Sequence, residues 1–346
     1  MQHAARHRRR MLLAGAGALA LASLAFGGPA RAQAGGRVAA TEAVVQRLFQ
    51  DAAFSLFVLT TGSFSSGGFA SFEDRSTDAK FDVYNFAPRT RFNTGLVGPL
   101  EMRIALGYGE ATTSGLGIVS GGAGPTGDAL ASDRQFLRTW NARIEVGRPI
   151  ELAPDLVLLP LAGLGYSNWT GKSVRTSVGT AAVPAGRVDF WVDALLYEAI
   201  AILEYRHRWG AVNIRPGIAA NYTYIGSVDG RARGTPAQPG APRERGKLEL
   251  YGSSTVLRAG VRVDGPLGFS VADTPLRWQT FAVGNYETAA FGLFPWSVET
   301  GVAVGADLDR LGRRLIGFDP GEFFVGVSYL FGENLSGVRA NFGFRF

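Results

Sequence analysis

Residues 338–346 read Val-Arg-Ala-Asn-Phe-Gly-Phe-Arg-Phe, and they fall into two sets. The even positions Val338, Ala340, Phe342, Phe344 and Phe346 are apolar; the odd positions Arg339, Asn341, Gly343 and Arg345 are not. Period two puts the sets on opposite faces of a β-strand. The division recurs upstream. Leu100, Met102, Ile104, Leu106 and Tyr108 alternate with Glu101, Arg103, Ala105 and Gly107. Ala142, Ile144 and Val146 oppose Asn141, Arg143 and Glu145. Residues 212–224 put Arg215 on the less apolar face, and residues 296–308 put Glu299 and Asp307 there.

Alternation fits a soluble sandwich, with its apolar face inward, and a transmembrane barrel, with its apolar face in lipid. Three features favour the barrel. The alternating runs are about nine to thirteen residues long, where soluble strands average about five or six. The second face mixes Gly and Ala with Arg, Asp and Glu, which suits a crowded interior better than a hydrated surface. Aromatic residues (Tyr108, Tyr222, Tyr224, Trp296, Phe344, Phe346) sit near the ends of the apolar faces, where a membrane girdle belongs.

The connections alternate in length. Segments 110–134, 168–188 and 226–246 read as long loops, 150–155 and 206–211 as tight turns, and 264–275 as intermediate. The reading is an all-β, antiparallel up-and-down transmembrane barrel of about twelve strands, with the first strand placed over 56–74. Before it, Val44, Val45, Leu48, Phe49 and Ala52 share one face of a short helix.

The N-terminus is a leader. Arg6, Arg8, Arg9 and Arg10 precede the apolar run 11–26, and Pro29-Ala30-Arg31-Ala32 ends it as a small-x-small cleavage site. The Arg8-Arg9-Arg10 cluster leaves the general and twin-arginine export routes open. The expected organisation is a signal peptide over 1–32, a segment with the amphipathic helix over 33–54, and an outer-membrane barrel over 55–346. The 346 residues carry 35 Lys+Arg against 29 Asp+Glu, a formal +6. Five of those arginines lie in the leader, so the remainder is close to neutral and nucleic acid is not an expected partner. There is no Cys, which excludes disulfides and thiol chemistry.

A leader, a short helix, about twelve alternating strands and a terminal Phe342-x-Phe344-x-Phe346 together resemble the solitary outer-membrane autotransporter-like β-barrels, translocator barrels without a passenger. The resemblance implies that Phe342, Phe344 and Phe346 form the signal read by the outer-membrane barrel assembly machinery, by pairing of an exposed edge strand. About 20 residues separate the leader from the strands, so no passenger is expected.

Barrel enzymes need a His beside a nucleophile. His207, in Tyr205-Arg206-His207-Arg208-Trp209, is the one histidine beyond the leader, and no nearby Ser accompanies it. No catalytic, cofactor-binding or metal site is expected. The alternatives are a lipid-modifying barrel enzyme and a solute-selective porin. Glu101, Arg103, Arg143, Glu145, Arg215, Arg258, Arg262, Glu299, Asp307, Arg339 and Arg345, with Glu322, fall on the expected lumen face. There they either line a pore or brace a closed interior in pairs. Lipopolysaccharide and outer-membrane lipid are the expected surroundings, with Arg231, Arg233, Arg243 and Arg245 placed to meet lipopolysaccharide phosphates.

Overall fold

The computed structural model describes residues 67–75, 78–93, 98–119, 129–177, 186–236, 245–249, 251–271, 274–288, 295–307 and 322–345. The leader 1–32, the segment 33–54 with its expected helix, the part of the expected first strand over 56–66, and Phe346 lie outside the described residues.

In chain order the strands are β1 (Gly67–Asp74), β2 (Ala79–Phe86), β3 (Arg89–Asn93), β4 (Pro99–Val119), β5 (Ala129–Gly147), β6 (Ile150–Ala153), β7 (Leu156–Ser177) and β8 (Gly186–Tyr205). There follow β9 (His207–Trp209), β10 (Val212–Pro236), β11 (Arg245–Lys247), β12 (Tyr251–Val271), β13 (Thr274–Glu287), β14 (Trp296–Asp307), β15 (Glu322–Gly332) and β16 (Leu335–Arg345). Twelve of them pair antiparallel with two neighbours each and close a ring: β1-β2-β4-β5-β7-β8-β10-β12-β13-β14-β15-β16 and back to β1. β3, β6, β9 and β11 are short pieces paired beside β4, β7 and β10. The seam runs from Gly67 opposite Phe342 to Asp74 opposite Leu335. The all-β, twelve-strand antiparallel barrel read from the alternation is the fold.

The strands are longer than the alternation indicated. β4, β5, β7, β8, β10 and β12 hold 21, 19, 22, 20, 25 and 21 residues, and β13 to β16, β1 and β2 hold 14, 12, 11, 11, 8 and 8. One half of the wall is therefore tall and the other low. The long loops expected at 110–134, 168–188 and 226–246 are largely strand: β4 runs to Val119, β7 to Ser177 and β10 to Pro236. The Gly/Ser/Asp composition of 110–134 and the Pro/Gly/Arg run of 226–246 suggest loop, but a strand already in register is extended by its neighbour's backbone groups, whatever its own propensity. The turns expected at 150–155 and 206–211 contain the small strands β6 and β9.

Four direct cross-strand pairs set a Phe ring against a Gly. Phe72 pairs with Gly337, Phe190 with Gly171, Phe281 with Gly301 and Phe342 with Gly67. In each, the ring occupies the space a glycine Cβ would need. A Cβ on Gly301 would meet Phe281 Cζ and Ser328 Cβ, both at 2.7 Å, whereas one on Gly284 has nothing nearer than a carbonyl at 3.8 Å. Gly301→Val is expected to destabilise the barrel by about 1–3 kcal/mol through overpacking. Gly284→Ala is expected to fall within about 0.5 kcal/mol of the parent in urea unfolding followed by Trp fluorescence.

The outer face carries an aromatic belt. Phe69, Tyr84, Tyr108, Trp140, Tyr166, Tyr197, Tyr224, Tyr251, Tyr286, Trp296 and Phe331 supply one outward ring on each of eleven of the twelve strands. Neighbouring rings touch: Phe69 and Tyr84 have centroids 4.8 Å apart, Tyr84 and Tyr108 5.9 Å, and Trp140 and Tyr166 5.2 Å. Toward the end that carries the C-terminus the outward side chains are aliphatic, among them Ile104, Leu106, Ile144, Val302, Val304, Val325 and Val327, all exposed. The exposed hydroxyl of Thr300 donates to the Phe281 carbonyl, and that of Thr280 to the Gly301 carbonyl, so both are satisfied within the sheet. Tyr205 and Phe92 close this band at its lower edge, about eight residues or roughly 20 Å of height from the belt at a 40° strand tilt. On the tall wall beyond the belt the outer face turns polar. Arg138 pairs with Glu110 at 2.8 Å, Arg187 with Asp189 at 2.8 Å and Arg231 with Asp229 at 3.2 Å.

Candidate functional site

The candidate site is the barrel interior, because the inward faces place most of the buried charge there. β5 and β8 flank β7, whose inward positions between them are Gly163 and Gly165. A Cβ on Gly165 would meet Arg143 Cγ at 2.5 Å, so these glycines leave the gap across which Arg143 reaches Glu198. Arg143 Nη1 donates to Glu198 Oε1 at 2.8 Å, and both side chains are almost fully buried. Thr223 donates to the same oxygen at 3.1 Å. Arg103, directly opposite Glu145 in the β4–β5 register, donates to it through Nε at 2.7 Å. Glu101 takes Arg89 and, at 3.5 Å, Arg91.

A second group forms around Asp264 on β12. Arg277 donates to Asp264 at 2.6 Å and reaches Glu322 at 2.9 Å; Asn213 donates at 2.8 Å, and Arg215 stands at 3.7 Å. Arg262 approaches Glu204 at 4.0 Å. A third group joins β14, β15 and β16. Arg339 donates to Glu299 at 2.9 Å, Ser328 donates to Glu299 at 2.6 Å, and Asn341 donates to Ser328 at 2.8 Å. Arg258 lies between the groups, its Nε donating to Asn285 Oδ1 at 3.2 Å.

The residues singled out from sequence therefore fall into these groups: Glu101, Arg103, Arg143 and Glu145 in the first, Arg215, Arg262 and Glu322 in the second, and Glu299 and Arg339 in the third. Asp307 and Arg345 flank Glu322 in the backbone register, and their side chains lie outside the described part. Phe342 is exposed on the outer face of the seam, Phe344 is described as backbone only, and Phe346 is outside the described residues. Of the loop arginines, Arg231 and Arg233 belong to β10 and Arg245 to β11, and Arg243 lies outside the described residues.

Sequence reasoning missed Glu198, Glu204, Asp264 and Arg277. Glu198 sits on β8, where Leu195, Tyr197, Ala199 and Leu203 face out while Val192, Leu196 and Ile200 face in. Both faces are apolar, so alternation gives no parity. Counting across from Gly163 of β7 would have supplied it.

Toward the end opposite the C-terminus an apolar cluster fills much of the interior, beside the buried carboxylates of Asp74 and Glu287. Phe72, Phe81, Leu330 and Leu335 of the low wall pack in one buried cluster with Leu137, Trp169, Val192, Leu196 and Ile225 of the tall wall. At the other end a cavity of about 250 Å³ is lined by Arg89, Arg103, Arg215, Arg258, Arg262 and Glu204, among others. Among the described residues no group of three or more His, Asp or Glu could hold a metal. His207 is exposed near that end, its ring stacked on Tyr205 at 6.2 Å.

No protein-family model matches the chain, and no curated protein matches it. Among solved structures it is similar to the β domain of the Bordetella autotransporter BrkA, at 13% identity over 82% of this chain and 100% of that one, with a TM-score of 0.47. It is similar to the translocator domain of the autotransporter NalP from Neisseria meningitidis, at 13% identity over 89% and 97% of the two chains, TM-score 0.47. The transport unit of the autotransporter AIDA-I from Escherichia coli matches at 11% identity over 86% and 99%, TM-score 0.45.

Proposed function

We propose that the chain is an integral outer-membrane barrel of a Gram-negative bacterium, exported by its leader, with a structural role and a braced interior. The observation that carries this reading is the outer surface. An aromatic belt circles the ring, an aliphatic band of about bilayer height lies on one side of it, and paired charges lie on the other. The polar side then faces the cell exterior, where Arg138, Arg187 and Arg231 meet lipopolysaccharide phosphates. The short seam strand ending in Phe342, Phe344 and Phe346 is offered to the barrel assembly machinery. The buried pairs Arg143–Glu198 and Arg339–Glu299 and the apolar cluster favour bracing over conduction. A second reading, a narrow channel, is favoured by the arginine-lined cavity. The chain is read as a non-enzyme, because its exposed His207 stands beside a tyrosine at the end that carries the C-terminus, remote from the outer leaflet.

Cell fractionation and bilayer recording test this. The protein is expected in the outer membrane, with heat-modifiable mobility in detergent gels and no stepwise conductance. Recovery from the soluble periplasm would end the membrane reading; well-defined conductance steps would replace bracing by the channel.

A further inference from the structure

The ion-pair network leaves one interior guanidinium of the cavity unmatched. Arg258 Nη2 is buried with no hydrogen-bond partner, and no carboxylate stands within ion-pair distance of it among the described residues. Arg103 and Arg143 are close enough for their charges to oppose its own; of the carboxylates that attract it, Glu145 and Glu198 are engaged by those two arginines, and Glu287 acts on it beyond ion-pair distance while accepting from Ser254. Arg262 is weakly matched: its Nε is buried without a partner, and its Nη2 reaches Glu204 only at the outer limit of an ion pair, 4.0 Å. Arg215 stands directly opposite Arg262 in the strand register, so a further positive charge faces the same space. Around the whole cavity seven arginines and two glutamates contribute to the lining.

A buried guanidinium without a counter-charge costs several kcal/mol. Its planar fork of donors matches the paired oxygens of a phosphate or carboxylate. We propose that this cavity binds a small multivalent oxyanion, a phosphate- or polycarboxylate-bearing molecule, with Arg258 and Arg262 as its deepest contacts. The ligand enters from the end of the barrel that carries the C-terminus. A volume of about 250 Å³ lies below the range of drug-sized sites and suits an anion of the size of pyrophosphate or citrate. The site does not depend on the lumen being open or closed at the opposite end, and so stands apart from the structural role proposed above.

The test is calorimetric titration of the full chain, folded in detergent, with inorganic phosphate, inorganic pyrophosphate and citrate at constant ionic strength in chloride. At least one of these probes is expected to give a saturable one-site isotherm. Pyrophosphate without citrate marks the site as phosphate-directed, and citrate without pyrophosphate as carboxylate-directed; either supports the proposal. Arg258→Gln and Arg262→Gln are each expected to weaken binding at least tenfold while heat-modifiable mobility is kept. Arg138→Gln, on the outer face, is expected to leave binding unchanged. If Arg258→Gln does not fold, Arg262→Gln alone decides. Absence of saturable binding by all three anions overturns the proposal. So does undiminished binding in the interior variants, or an equal loss in Arg138→Gln, which would assign the heat to surface arginines.

Discussion

Val302→Arg is expected to destabilise the folded protein in lipid or detergent by about 1–3 kcal/mol, between the cost of a guanidinium at the midplane of a barrel's lipid-facing band and its cost near the edge. Val302 is 58% exposed, so in water the same substitution would remove little packing. It lies six residues below Trp296, and at roughly 3.3 Å per residue and a 40° tilt that is about 15 Å beneath the aromatic belt. The exposed Thr112, beyond Tyr108 on the polar part of the tall wall, provides the contrast. Thr112→Arg is expected to cost less than about 0.5 kcal/mol. Both are read as shifts of the urea midpoint in vesicles. A large cost at 302 and none at 112 places the boundary between lipid and water at the belt. Equal, small costs would mean that the outer face is hydrated throughout and would overturn the membrane reading.

The reason that contrast can be drawn at all is that the outer surface was legible in the alternation. Val298, Val302 and Val304 against Glu299, Gly301 and Ala303 give a strand whose faces need different surroundings, and no tertiary information is required to see it. The interior was legible only in part. Arg339 and Glu299 could be assigned to one face, but not to each other, because pairing depends on the number of strands between them: β15 separates β14 from β16, and Ser328 bridges the gap. The height of the tall wall was not legible. Glu110–Val119 carries Ser114, Gly115 and Gly117 at its centre, and its extended conformation follows from a register with Ala129–Arg138 that continues from below. Arg258 could be placed on the inner face, yet its lack of a direct ion pair appears only once Glu145 and Glu198 are seen to be taken by Arg103 and Arg143.

The second large effect decides between bracing and pore lining. Arg339 and Glu299 are 3% and 4% exposed at their side chains and meet at 2.9 Å. Glu299→Ala removes the carboxylate from Arg339 and the acceptor from Ser328. Leaving one member of such a pair buried is expected to cost about 3–5 kcal/mol, and Arg339→Ala is expected to cost a similar amount. Replacing both with apolar side chains of similar length, Glu299→Leu with Arg339→Met, removes both desolvation penalties together and is expected to restore stability to within about 1 kcal/mol of the parent or above it. The double-mutant cycle, read from urea midpoints, then gives a coupling far above the 1 kcal/mol or less of a solvated pair. Such a coupling, with conductance absent from every variant, is the signature of charges that hold strands β14, β15 and β16 together. If each single substitution instead costs under about 1 kcal/mol and alters ion flow, water reaches the pair and the interior is a conduit. The same two side chains cannot satisfy both outcomes, because the dielectric that makes the pair costly to break is the one that keeps ions out.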